Sequence, residues 1–237
     1  MANALKIVSL LLSYPSAELL AARDELRAAL AADRLTGDKQ KALLAALIDD
    51  LGGRDLYDAE ERYVLLFDRT RTLSLHLFEH VHGESRDRGQ AMVDLAVMYE
   101  QQGFDICSHE MPDYLPLFLE YLSTQSAEEV HNLLGQTLHI LSALRTRLQK
   151  KGSIYANAFL VLEAIAGTRA DKRAVDELLE LPEDDPTDLK ALDAVWEEEA
   201  VTFGGGAGND ACGPDRLRTQ LRAHRRPAPQ PELGGDH

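Results

Sequence analysis

From Ser126 onward, apolar residues fall at Val130, Leu133, Leu134, Leu138, Leu141, Leu144 and Leu148, steps of three and four that draw one stripe along a helix. Ser126 and Glu129 form a capping box at its start. Arg145, Arg147, Lys150 and Lys151 gather at its far end, where the helix dipole is negative, and Gly152 follows as the stop. The same signals predict helices over roughly Ala4–Leu12, Ala17–Ala32, Asp38–Leu51, Ala59–Leu66, Thr72–Val81, Arg86–Gln102, Leu115–Thr124, Ser153–Ala166 and Ala170–Leu181. Gly103 closes the one that ends at Gln102. A last helix is predicted from Asp185, with Pro186 in its first turn, to about Ala200.

No proline falls between Pro15 and Pro112 or between Pro116 and Pro182, which leaves these helices unbroken. Strand signals are nearly absent, since Ile7 and Val8 are the only adjacent Val or Ile pair. The expected fold is therefore all-α, a single-domain helical bundle of about ten helices with antiparallel sequence neighbours. At Phe203 the composition changes, and the last 35 residues hold 7 Gly and 4 Pro. The expected organisation is a helical domain over 1–202 and a disordered Gly/Pro-rich tail over 203–237.

The 237 residues carry 25 Lys and Arg against 40 Asp and Glu, a net charge of −15, which repels phosphate backbones and anionic membrane faces. Nucleic acid is excluded as a partner on that ground. Residues Asp176 to Glu199 hold eleven acids against one base, Lys190, a solvated face that can also steer a basic partner. No apolar run approaches the 20 or so residues of a membrane span, and Met1–Leu12 reads as a first core helix rather than a signal peptide. Cys107 and Cys212 form no C-x-x-C and fit a reducing, cytoplasmic setting.

Enzyme signatures are missing: there is no phosphate-binding loop, no dinucleotide fingerprint, no G-x-S-x-G and no H-E-x-x-H. Gly204, Gly205, Gly206 and Gly208 read as linker. His76, His80 and His82 form the densest titratable cluster, with His76 and His80 one turn apart on a shared helical face. Such a pair can chelate a metal or simply meet Glu79, Glu84 and water. Beyond it, Arg86 and Arg88 stand at a charged corner, as solvated arginines or as holders of an anion or a peptide backbone. In Glu110-Met111-Pro112-Asp113-Tyr114-Leu115-Pro116, two prolines make a rigid loop that delivers a helix apolar on nearly all sides. An acidic loop beside an apolar groove suits a basic, hydrophobic helix as ligand.

These motifs, in this order, resemble the NarJ-type respiratory nitrate reductase assembly chaperones, part of the wider TorD-like group of redox-enzyme maturation proteins. The marks are Leu11-Leu12-Ser13-Tyr14-Pro15, the Tyr63–Asp68 segment, the run from Gly83 to Met92, the proline loop and Trp196–Phe203. The wider group often carries Glu-Pro-x-Asp-His, whereas here Met111 separates Glu110 from Pro112 and Tyr114 follows Asp113. The resemblance implies a cytoplasmic, non-enzymatic chaperone that binds the N-terminal segment of the catalytic α subunit of nitrate reductase. It also implies that the molybdenum cofactor is handled indirectly, through the client, and not held as a stable cofactor.

The client-binding residues expected on this reading are Glu110, Asp113, Tyr114, Leu115, Phe118, Leu119, Arg86 and Arg88. Glu110 and Asp113 are expected to pair with basic residues of the client, while Leu115, Phe118 and Leu119 line or support its groove. On that assignment, Asp113→Ala with Glu110→Ala weakens binding and leaves folding intact. The alternative from another class is a metal-binding or nucleotide-regulated helical protein using His76, His80 and His82.

Overall fold

A computed structural model describes residues 3–82, 86–106 and 110–182, apart from the side chains of His82 and Arg86. The elements are α1 (Asn3–Leu12), α2 (Ala17–Ala21), α3 (Arg23–Ala31), α4 (Asp38–Gly52), α5 (Leu56–Tyr63), α6 (Glu79–His82), α7 (Arg86–Gln101), α8 (Leu115–Thr124), α9 (Ala127–Lys150), α10 (Ala156–Ala166) and α11 (Lys172–Leu179). A π-helical turn, Val64–Asp68, follows α5, and a short 3-10 turn spans Arg71–Leu73. Among the described residues there is no strand, and the all-α expectation holds. The expected helix from Asp185 and the tail from Phe203 lie outside the described residues.

Local chemistry explains most boundaries. Ser126 Oγ accepts the Glu129 N–H at 3.3 Å, as the capping box requires. Gly103, Gly152 and Gly167 adopt positive φ just after α7, α9 and α10, where a side chain would strain the backbone. The single helix expected over Ala17–Ala32 is instead two, divided at Ala22, which caps α2 and opens α3.

The long α9 lies against α10, which also meets α4, while α1 packs on α8. Burial of Leu5, Val8, Leu12, Leu119, Leu122, Leu141, Phe159 and Leu162 makes one continuous core. Removing a buried leucine from such a core costs about 2–5 kcal/mol, so apolar burial at these layers dominates stability. Polar ties fix how the layers meet. Ser9 Oγ donates to the Pro116 carbonyl at 2.7 Å and joins α1 to the start of α8. Buried Asp33 accepts the Ala4 N–H at 3.0 Å, supplying from 29 residues away a partner that the first turn of α1 lacks. The α7 helix buries Tyr99, whose hydroxyl donates to the Pro112 carbonyl at 2.9 Å and so ties α7 to the proline loop.

One expected helix is contradicted. Only Arg71–Leu73 and Glu79–His82 are helical between residues 71 and 82. The stretch between them runs beside the proline loop: Leu115 N–H donates to the Leu75 carbonyl at 2.8 Å, and Leu77 N–H to the Asp113 carbonyl at 3.0 Å. His76 and Tyr114 face each other across this antiparallel bridge. The helical spacing of Leu73, His76, Leu77, His80 and Val81 loses because hydrogen bonds to a distant segment replace those of a local helix.

Candidate functional site

Three segments meet around a cleft of about 440 Å³: the end of α1 with Tyr14, the α5 to 3-10 region with Tyr63, Phe67, Asp68 and Arg71, and the bridged pair of loops with His76 and Glu110. The π turn sets the register of the second segment. Arg69 N–H reaches back five residues to the Val64 carbonyl at 3.0 Å, and Thr70 Oγ1 donates to the Leu66 carbonyl at 2.7 Å. The extra residue in the turn lets Phe67 point into the core, 5.0 Å from the Tyr155 ring, while Asp68 remains exposed on the cleft rim.

Tyr114 is fixed at the cleft wall. Tyr63 O–H donates to the Leu12 carbonyl at 3.0 Å, and the two phenol oxygens of Tyr63 and Tyr114 lie 2.9 Å apart, so Tyr114 O–H donates to Tyr63. Burial first, and the neighbouring Tyr114 second, hold the Tyr63 phenol well above its ordinary value. The Tyr114 ring is 5.4 Å from His76. A half-buried aromatic held at both ring and hydroxyl is a low-entropy contact surface.

Behind the wall stands Asp113, 0% exposed. Its Oδ2 accepts the Phe78 N–H at 3.1 Å, its Oδ1 lies 3.3 Å from His76 Nδ1, and Arg88 approaches to 3.9 Å. Arg88 also donates to Glu79 at 3.1 Å. This corrects the expectation that Asp113 is presented to a ligand: its carboxylate is engaged inside the protein, and its removal is expected to strike folding. Leu115, Phe118 and Leu119 are likewise in the core, where they support the wall and are not presented to a ligand. Arg88 is braced by Glu79 and is not among the cleft-lining residues. Glu110 and Tyr114 do line the cleft, whereas the Arg86 side chain lies outside the described residues.

The two histidines differ in environment. The hydrogen bond to Asp113 raises the His76 pKa, while burial lowers that of His80, whose Nε2 donates to the Ser74 carbonyl at 2.8 Å. With His76 Nδ1 turned to Asp113 and His80 Nε2 to a carbonyl, the shared helical face required for i, i+4 chelation does not exist. Among the described residues no group of three His, Cys, Asp or Glu side chains is placed to hold a metal.

These shifts act on stability in opposite directions. His76 binds its proton more tightly when folded, so its contribution is full below the unfolded value of about 6.5 and lost as pH rises through the raised folded value. His80 favours its neutral form when folded, so its contribution is present above about 6.5 and lost as pH falls through the lowered value. Urea midpoints followed from about pH 5 to 8 are expected to decline less on the alkaline side in His76→Gln and less on the acid side in His80→Gln. Identical profiles in all three proteins would refute the assignment.

Sequence reasoning assigned no role to Tyr14, Tyr63 or Asp68. A signal existed, since all three lie in the two segments Leu11–Pro15 and Tyr63–Asp68 that carry family resemblance, but nothing local joins those segments to the proline loop.

Comparison with known proteins gives the family. Residues 20–161 match the family described as nitrate reductase delta subunit. The nitrate reductase molybdenum cofactor assembly chaperone NarJ of Escherichia coli K12 is 45% identical over 220 residues, covering 92% of this chain and 91% of the relative. The probable assembly chaperone NarW of the same strain is 39% identical over 199 residues, 84% of this chain and 83% of the relative. A probable NarJ of Bacillus subtilis is 33% identical over 135 residues, 50% of this chain and 73% of the relative.

Proposed function

This chain belongs to the nitrate reductase delta subunit family, and from that premise we propose that it is the assembly chaperone of a respiratory nitrate reductase. It binds the immature catalytic α subunit, keeps it soluble and keeps it accessible until the molybdenum cofactor has entered. The cofactor is cargo of the client and not a resident group of this chain. The protein works in the cytoplasm by binding and release, without catalysis. The observation that carries this reading is the 45% identity to the E. coli assembly chaperone across 92% of the chain.

The bound part of the client is its N-terminal segment, laid as an amphipathic helix over the mouth of the cleft. Tyr114 and Glu110 make contact there. Asp113, Leu115, Phe118 and Leu119 hold the wall from behind, and Arg88 braces it through Glu79. The net charge of −15 draws a basic segment toward the surface before contact.

Calorimetric titration of the full chain with a synthetic peptide from the N-terminus of the catalytic subunit encoded in the same genome tests this, beside a scrambled control. Saturable binding to the native peptide alone is expected, at about −8 to −12 kcal/mol, the range from which a client can still depart. Glu110→Gln combined with Tyr114→Leu is expected to weaken it about tenfold with the circular dichroism spectrum unchanged. Equal affinity in the double variant would remove these two residues from the contact, and equal binding of the scrambled peptide would refute recognition.

A further inference from the structure

Tyr14 and Asp68 occupy the cleft rim without a part in the wall just described. The Tyr14 ring is 52% exposed, yet it is held in place edge-on against Tyr63 at 5.5 Å and 77°. Asp68 ends the π turn, is exposed, and lies close enough to Tyr63 for its charge to disfavour ionisation of that phenol. A tyrosine ring and a carboxylate lining one cleft can together hold a guanidinium or an ammonium, by attraction to the ring quadrupole together with a charge-assisted hydrogen bond.

Among the described residues, the other charged groups on the rim are Arg71, His76, Glu79 and Glu110. His76 faces Asp113 and Glu79 receives Arg88, so those two charges are already balanced from within the protein. Asp68 is an exposed rim carboxylate that an incoming cation can reach. Size points the same way. A helix with its side chains is about 10–12 Å across, whereas a space of 440 Å³ would be roughly 8 Å on an edge as a cube. A helix therefore fits across this mouth and not into it, with room inside for a long side chain.

We propose that Asp68 and the Tyr14 ring form a subsite that receives one arginine or lysine side chain of the client segment, so that the cleft reads the position of a basic residue as well as an apolar face. This deepens the client-binding reading above and rests on it.

The test is a coupling cycle by calorimetry with the full chain. One axis is the protein: unmodified, Asp68→Asn, and Tyr14→Leu, both changes at exposed positions, with thermal midpoints measured to verify the fold. The other axis is the N-terminal client peptide and a set in which each Lys is replaced by norleucine, or each Arg by citrulline, one at a time. Asp68→Asn is expected to weaken the native peptide about fivefold. One singly replaced peptide is expected to show the same loss against the unmodified protein and no further loss against Asp68→Asn, with Tyr14→Leu behaving alike. Unchanged affinity in Asp68→Asn, or losses that multiply for every replaced peptide, would overturn the subsite and leave the chaperone reading in place. Failure of the native peptide to bind the unmodified protein would overturn the client reading itself, and the subsite with it.

Discussion

Replacing Asp113 with alanine is expected to lower the unfolding free energy by about 3 kcal/mol. The carboxylate is wholly buried and accepts the Phe78 N–H at 3.1 Å, so its loss leaves a backbone donor without its acceptor. It also withdraws the counter-charge from His76 and from Arg88. Both side chains keep some access to water, being 30% and 21% exposed, which places the effect at the low end of the range for breaking a buried pair. Asp113→Asn keeps an acceptor for Phe78 and removes only the charge, so about half the loss is expected from it. Urea denaturation at constant slope measures both. An alanine variant within about 0.5 kcal/mol of the unmodified protein would show that the carboxylate does not organise the wall. On the proposed reading, client binding is expected to fall with the loss of the wall, because a wholly buried carboxylate acts on a ligand only through the residues it holds.

The second large effect is expected at Arg147. Its side chain is the largest fully buried one among the described residues, 1% exposed, on a helix whose other buried residues are apolar except Ser142. The guanidinium donates to the Thr72 carbonyl at 2.7 Å and to the Leu178 carbonyl, joining the 3-10 turn at the base of the cleft to the last turn of α11. Its planar fork sends Nη1 to one carbonyl and Nη2 to the other in fixed directions. Arg147→Met fills similar volume but leaves both carbonyls without this donor, and a loss of about 2–3 kcal/mol is expected. Arg147→Lys should recover part of it by serving one carbonyl. The loss is expected to be uneven in space: amide exchange should quicken first in α11, whose main buried anchor is Leu178, and in residues 71–74, before the α9–α10 core opens. Uniform quickening across all helices would argue against this bridging role.

Both residues look ordinary in the sequence. Arg147 sits among Arg145, Lys150 and Lys151 at a helix C-terminus, where basic residues serve the dipole, and nothing within a few positions distinguishes the one that turns inward. Asp113 lies in an acidic loop that reads as a solvent-facing rim. Whether a charge is presented or buried depends on what packs over it. Here the partner groups are 25 to 75 residues away along the chain.

The sequence by itself determined what depends on neighbours within two turns: the stripe and capping box of α9, the stops at Gly103 and Gly152, the proline-delivered α8 and the absence of strands. These are local hydrogen-bond and periodicity effects, and each holds among the described residues. Tertiary structure alone decided the course of Thr72–Val81, the inward turn of Asp113 and Arg147, and the meeting of Tyr14, Tyr63, Asp68 and Tyr114 around one cleft. In the first case, apolar spacing compatible with a helix was overridden by backbone bonds to residues 113–115. A segment's own residues fix its best isolated conformation, but the final one is set by where its N–H and C=O groups find partners in the packed chain.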